Sequence, residues 1–367
     1  MFDIPWNKPN LTSRERDLVA DAVDSSWISG GHYLERFEHE LATLFEVPTV
    51  LTVANGTAAI HLAYLAIGLA PGDEVVVPGF AFQAAANIAL NMSAKPVFAE
   101  VDPQSWCLTA AAIEQVITRK TRAVVAVHTY GNACEMDAII ALCRPRGIVV
   151  IEDAAESFGT RYKGQLTGTI GDIGTFSFQA TKTITTGEGG MVISRRPELV
   201  EPMRLYRSHG MLRTRYLHEV AGFNFRLTNI QAAMGCAQLE RYGVLAAARA
   251  KMFATYRSAL SNQSGLRLQH FPDSVDPVVW AIAVKLDAAA FDQGRDAVLE
   301  QLAKAGIEGR PGFYPPGAMP AVYGPTPPLP ICDDVGRQVL TLPSYTSLSA
   351  GEIENVCEAL LSLRRRP

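Results

Sequence analysis

Short apolar runs at Val50–Val53, Glu74–Val77, Lys95–Ala99, Ala123–Val127 and Ile148–Ile151 alternate with alanine-rich stretches of helical character through the first part of the chain. Runs this short, without an alternating polar face, read as strands buried on both sides. Strands separated by helices are joined by crossover connections and so pair in parallel. The pattern confines the chain to an α/β architecture, a mostly parallel sheet covered on both faces by helices. Helix starts agree with it. Thr12-Ser-Arg-Glu15 is a capping box opening a helix through Val23, and Leu34, Phe37, Leu41, Leu44 and Phe45 recur on one face of the next helix. A helical stretch from Thr228 to about Leu260 leads into a second part, where Val278–Leu286 reads as a strand, Arg295–Ala305 as a helix, and Ser349-Ala-Gly-Glu352 opens a last helix. The expected division is a large domain over residues 1–240, N-terminal segment included, and a smaller α+β domain over 241–367. At 367 residues and 48% apolar, the chain is long enough for both.

Open α/β sheets bind ligands beyond the C-terminal ends of their strands. The run Ile148–Ile151 delivers Asp153 to such an end, and a further short strand at Gly174–Phe178 delivers Lys182 on the loop that follows. A buried lysine amine loses its proton readily and can form a Schiff base with an aldehyde, while a carboxylate can hold a pyridine nitrogen protonated and so make the ring an electron sink. The pair points to pyridoxal phosphate, although each residue alone reads equally as a surface lysine or a strand-end turn residue. A phosphate cradle is the remaining requirement. Asn55-Gly-Thr57 follows a β-rich run and opens a helix, so that backbone N–H groups at the helix start, the close approach allowed by Gly56 and the Thr57 hydroxyl can hold a dianion. By itself the tripeptide is also an ordinary turn with an N-cap. Ser177 alternates with Phe176 and Phe178, which turns its hydroxyl away from the rings and toward the same phosphate.

The ordered blocks Asn55-Gly-Thr-Ala-Ala59, Pro78-Gly-Phe-Ala-Phe82, Val127-His-Thr-Tyr-Gly131, Glu152-Asp-Ala-Ala155, Gly171-Asp-Ile-Gly-Thr-Phe-Ser-Phe178, Lys182 with Gly187-Glu-Gly-Gly190, Ser208-His-Gly210 and Gly222-Phe-Asn-Phe-Arg226 resemble the DegT-type nucleotide-sugar aminotransferases of pyridoxal-phosphate fold type I. The likeness spans nearly the whole chain. It implies an aspartate-aminotransferase-like fold with a seven-stranded-type, mostly parallel sheet. It also implies roles: Lys182 as the cofactor-linked lysine and general base, Asp153 as the partner of the pyridine nitrogen, Phe82 stacked on the ring, and Thr57, the Ala58 amide and Ser177 on the phosphate. Asn224 resembles an asparagine that reaches the phosphate from the neighbouring subunit, which implies a homodimer with shared sites. Position 156 is commonly glutamine, set against the cofactor's phenolic oxygen. Glu156 brings two acidic oxygens together, so one must carry a proton or the side chain must be displaced; read alone, it is a carboxylate lying behind the cofactor.

Ser26-Trp-Ile-Ser29 and Lys182-Thr-Ile-Thr-Thr-Gly-Glu-Gly-Gly190 are most similar to members that aminate carbon 4 of nucleotide-linked 4-keto-6-deoxyhexoses, with L-glutamate as donor, in polysaccharide biosynthesis. Carbon-3 amination, a cyclitol ketone, or a non-catalytic ligand-binding regulator on the same fold are the alternatives; sugar dehydratases on this fold carry histidine where Lys182 stands. Arg310-Pro-Gly-Phe-Tyr-Pro-Pro-Gly317 lacks a ring and a histidine that many relatives have near the sugar. Arg310, Tyr314, His209 and Arg226 are candidate substrate contacts, though a histidine before glycine also reads as a helix C-terminal residue. The proline cluster at Pro325, Pro327, Pro328 and Pro330 reads as a rigid connector or a loop over the site.

A net charge of −4 argues against a general nucleic-acid binder, and Arg364-Arg-Arg366 reads as a solvated end. The six cysteines form no C-x-x-C pair and no zinc spacing, which fits reduced thiols and no metal. The start of the chain lacks a signal-peptide pattern, and Val75–Met92 is interrupted by Pro78, Gln83, Asn87 and Asn91, so a cytoplasmic protein without a membrane span is expected and the sequons at Asn10, Asn55, Asn91 and Asn262 read as chance matches.

Overall fold

The computed structural model describes residues 2–365, so Arg366 of the basic tail lies outside the described residues. Seven strands, β1 (Val50–Val53), β2 (Glu74–Pro78), β3 (Lys95–Ala99), β4 (Thr121–Val127), β5 (Val149–Asp153), β6 (Ile173–Ser177) and β7 (Gly190–Ile193), form one sheet in the order β1-β7-β6-β5-β4-β2-β3. β3, β2, β4, β5 and β6 pair in parallel, and β7 runs antiparallel to both its neighbours. The strands are apolar on both faces because both faces are covered. Val75, Val77, Ala123, Val125, Val127 and Ile151 enter one core, and Val76, Val124, Ala126 and Val150 enter the core on the opposite side. Each buried valine contributes about 1.5–3 kcal/mol relative to an exposed one, and a slip of one residue would exchange the two faces. No described helix is long and apolar enough to cross a membrane.

A four-stranded antiparallel sheet, β8 (Leu266–Leu268), β9 (Ile282–Leu286), β10 (Arg310–Pro311) and β11 (Val339–Leu342), has the order β8-β9-β11-β10 and packs with helices Gly294–Lys304 and Ala350–Ser362. Ile4 joins this core and pairs with Ile307, and Trp6 Nε1 donates to Thr341 Oγ1 at 2.8 Å, so the N-terminal segment is built into the C-terminal part. The capping boxes at Thr12 and Ser349 form as the sequence indicates, each with its glutamate partner.

Two boundaries differ from the sequence reading. The helical stretch Thr228–Leu260 is two helices, Asn229–Glu240 and Tyr242–Leu260, interrupted at Arg241, whose guanidinium reaches back to Asn10 and Glu15. The strand begins at Ile282 rather than Val278, because the Val278 amide is taken by Thr160 Oγ1 and that of Trp280 by the Tyr130 carbonyl. The proline cluster lies along β3, away from the cavity described below. Tyr323 stacks edge-on against Phe98, and Glu100 accepts from the amides of Ile331 and Cys332.

Candidate active site

A cavity of about 490 Å³ opens at the C-terminal ends of β4, β5 and β6, closed on its far side by Arg310, Phe313 and Thr341 of the C-terminal part. Of the residues expected to work together, Gly56, Thr57, Phe82, Asp153, Glu156, Ser177, Lys182 and Arg310 all line it, although they come from five separate stretches of chain.

The cradle follows from helix and strand geometry. Asn55 caps the helix Gly56–Ala66, its Oδ1 accepting from the Ala58 amide at 2.8 Å and its carbonyl from the Ala59 amide at 3.2 Å. The amides of Gly56 and Thr57 stand at positions that have no intrahelical acceptor, at the positive end of the helix dipole. The Ala58 amide, also expected on the phosphate, is bonded here to its cap, and Ala58 does not line the cavity. The helix start meets the strand ends closely. A Cβ on Gly56 would lie 3.0 Å from Ser177 Cβ, and one on Gly190 would lie 2.5 Å from the Phe176 carbonyl and 2.9 Å from the Gly56 nitrogen. Phe176 and Phe178 point into the opposite core, which leaves Ser177 on the cavity side.

Asp153 is the last residue of β5 and accepts from the Ala155 amide at 3.1 Å. Burial pushes its carboxyl above the ordinary range, with the Ala155 amide, Lys182 and His128 working against the rise. Behind it, His128 Nδ1 accepts from the Cys134 amide at 3.1 Å, so Nε2 is left to donate to Glu152 Oε2 at 2.9 Å. Glu152 also accepts from the amides of Gly168, Ile170 and Gly171, fixing the turn between β5 and β6.

The Lys182 side chain is 13% exposed, and its Nζ stands 3.8 Å from Glu156 Oε1 and 3.6 Å from the centroid of the Trp280 ring. Burial lowers its pKa, while Glu156 and Asp153 oppose the change. Glu156 Oε2 accepts from the Tyr130 amide at 2.8 Å, and burial pushes the carboxyl up to about 7 in spite of Lys182 and that amide. Tyr130 presents its amide from a left-handed conformation, φ 58°, which for a bulky residue costs about 1–2 kcal/mol and is held by the packing around it. Its ring stacks on Phe313 at 5.0 Å and faces Trp280 at 6.2 Å.

The sequence patterns did not single out Trp280, Phe313, Trp6 or Gln179 as site residues, yet all four line the cavity. Trp280 and Phe313 carry no local motif; only the tertiary fold brings them to Lys182. Phe82 is 64% exposed, an aromatic face presented to the cavity. Four other candidates lie outside the lining. Tyr314 points the other way from Phe313 and meets Arg295. His209, Asn224 and Arg226 form a cluster on the loop that folds back beside β1, with Arg226 Nε donating to Asn224 Oδ1 at 3.1 Å and Arg226 Nη2 3.4 Å from His209 Nε2.

Pyridoxal phosphate fits this donor set. Two helix-start amides and two hydroxyls stand at one end, a buried carboxylate and a buried amine at the other, aromatic rings supply the walls, and the cradle leaves no room for an added Cβ at Gly190. Among the described residues, no group of three or more His, Cys, Asp or Glu is arranged to hold a metal ion.

The comparisons with known proteins agree. Residues 9–361 match the model of the DegT/DnrJ/EryC1/StrS aminotransferase family. The chain is 38% identical to the GDP-perosamine synthase of Escherichia coli O157:H7 over 359 residues, 97% of each chain, and 40% identical to that of Caulobacter vibrioides over 356 residues, 96% of each. The crystal structure of the aminotransferase TlmJ from Streptoalloteichus hindustanus superposes with a TM-score of 0.93 at 31% identity, covering 98% of both chains. The chain belongs to the DegT/DnrJ/EryC1/StrS aminotransferase family and is a pyridoxal-phosphate-dependent aminotransferase.

Proposed function

We propose that this enzyme moves an amino group from an amino acid, L-glutamate by family resemblance, to carbon 4 of a nucleotide-linked 4-keto-6-deoxyhexose. The observation that carries the reading is Lys182 set between the Glu156 carboxyl and the Trp280 ring, in one cavity with Asp153. Likeness to two GDP-perosamine synthases over almost their whole length supports the sugar and the position.

When bound, pyridoxal phosphate supplies an aldehyde that condenses with amines and a ring that takes up the electron pair released at the substrate carbon. The remaining work falls to the chain. Thr57, Ser177 and the first amides of the helix Gly56–Ala66 would hold the phosphate, and Phe82 would supply an aromatic face beside the ring. Asp153 would pair with the ring nitrogen, an arrangement that satisfies a carboxylate otherwise disfavoured by burial. With the group bound, Lys182 would serve as the base that removes the proton from the α-carbon of the donor and as the acid that returns one on the sugar half-reaction. A lysine whose pKa is lowered by burial suits both directions, because near neutral pH it gives and accepts protons more evenly than a free one. Glu156, protonated in part near neutral pH, would donate toward the phenolic oxygen or receive a proton from Lys182.

The shared homodimeric site is part of this reading. Asn224 and Arg226 are exposed and lie outside their own chain's cavity, as residues serving a partner's site would. The division into 1–240 and 241–367 is likewise proposed. It is supported by the break at Arg241 and by a four-stranded sheet drawn wholly from later residues, with the N-terminal strap of Ile4 and Trp6 crossing between the two parts.

The test is the visible absorption spectrum of the purified protein before and after L-glutamate. A yellow band that shifts to the near-ultraviolet supports cofactor and half-reaction together, after which 4-keto and 3-keto sugar nucleotides are offered to the aminated enzyme. Amination of 3-keto substrates alone overturns the carbon-4 assignment.

A further inference from the structure

Arg249 lies in the middle of the helix Tyr242–Leu260 and is 3% exposed. A guanidinium so far from water normally meets a carboxylate. Arg249 instead donates to main-chain carbonyls, Nη1 to Trp280 at 2.9 Å and Val279 at 3.3 Å, and Nη2 to Lys182 at 3.4 Å, while its Nε has no partner among the described residues. Burial alone lowers its pKa to about 10, with no acidic group offsetting the change. The carbonyls belong to two segments remote in sequence, and those segments carry the two halves of one contact, the Lys182 amine over the Trp280 ring. The ring is held further by its Nε1, which donates to the Thr181 carbonyl at 2.8 Å, and by the edge of Trp6.

We propose that Arg249 is a positioning residue for Lys182: its planar fork ties the main chains of Lys182 and Trp280 to one helix, and its unpaired charge favours the neutral, nucleophilic form of the amine. The proposal rests on the reading of Lys182 as the working amine. The groups facing Lys182 divide into two sets. Glu156 and Asp153, from the end of β5, favour the ammonium; burial, the largest influence, and Arg249 favour the amine. Two further cations stand on the same cavity walls, Lys8 on the narrow crevice behind Lys182 and Arg310 stacked on Trp6. A lysine at position 249 would keep the charge but lacks the rigid fork needed to span three carbonyls, which separates the two parts of the role.

Competitive acylation of the full-length, cofactor-free protein, read by mass spectrometry of the Lys182 peptide, gives the pH midpoint at which Lys182 becomes neutral. In Arg249→Gln the midpoint rises by about one pH unit, a tenfold loss of neutral amine at any lower pH. In Arg249→Lys the midpoint stays, and the glutamate half-reaction of the loaded enzyme slows about tenfold as the amine loses its alignment. A folded Arg249→Gln with an unchanged midpoint overturns the proposal. Should that variant fail to fold, Arg249→Lys decides, and a half-reaction at the wild-type rate overturns it. Acylation of Lys182 needs no sugar, so failure of the nucleotide-sugar reading would leave these results standing.

Discussion

Glu156→Gln isolates the energetic cost of placing an acid where a neutral side chain would suffice. Burial raises the Glu156 carboxyl from the usual 4.5 to about 7, a balance that already includes the attraction of Lys182 and the Tyr130 amide. At about 1.4 kcal/mol per pH unit, ionising this group in the folded protein costs about 3 kcal/mol more than in the unfolded chain. The sign follows from proton binding. Below about 4.5 the acid is protonated in both states and no penalty exists; between 4.5 and 7 the unfolded chain releases its proton first, and stability falls; above 7 the penalty is complete. Glutamine matches the shape, keeps an oxygen for the Tyr130 amide and carries no charge. The variant should therefore equal or trail the wild type at low pH and gain on it through this window, by up to about 3 kcal/mol. Urea denaturation of both cofactor-free proteins from about pH 5 to about pH 8 measures the difference. Parallel stability curves across that range, or a wild type that gains on the variant as pH rises, would refute the reasoning.

Lys182→Ala should fold and retain cofactor without a covalent link but lose transamination; appreciable turnover, followed by amination of a keto-sugar nucleotide, would remove Lys182 as the base. Mixed with Asn224→Ala, that variant tests the shared site. Random re-pairing of two inactive parents should restore about a quarter of wild-type activity, because half of the dimers then hold one complete site, and no recovery on mixing would place Asn224 outside the partner's site. Gly190→Ala forces a methyl within 2.5 Å of the Phe176 carbonyl and 2.9 Å of the Gly56 nitrogen, atoms of the main chain that cannot turn aside. Its affinity for pyridoxal phosphate, measured by equilibrium titration, should fall about tenfold or more.

What the sequence made legible was local or periodic. The strands of the parallel sheet could be placed because valine and alanine runs bounded by turns have few other solutions, and Asp153 and Lys182 could be paired because both follow such strands. Asn55-Gly-Thr57 gave the cradle but not its occupancy, since the competition between a cap and a ligand for the Ala58 amide is settled by side-chain geometry. Trp280 could not be found. It reaches Lys182 only because β9 stands beside β11 and the Tyr130 carbonyl holds the Trp280 amide, facts of tertiary structure with no local signature. Tyr314 illustrates the remaining error: in the short segment after β10, adjacent residues face opposite ways, and Phe313 took the cavity side. The interruption at Arg241 had a local sign in Tyr242-Gly243, a weak helix-forming pair, but its position is fixed by the distant partners Asn10 and Glu15 that hold the Arg241 guanidinium.

The two outer strands of the main sheet limit how copies of this protein can associate. An exposed edge offers a row of unpaired main-chain groups on which another sheet can grow. At β3 the edge contains Pro96, which has no N–H to offer, and the proline-rich run from Pro325 to Pro330 lies alongside it. At β1 the loop bearing Arg226 closes the other side, with Val53 bridged to Arg226 and the Ala54 amide bonded to the Phe225 carbonyl. Both edges are thus interrupted as templates for a further strand, and the arm that covers the end of β1 is the same one that carries Asn224.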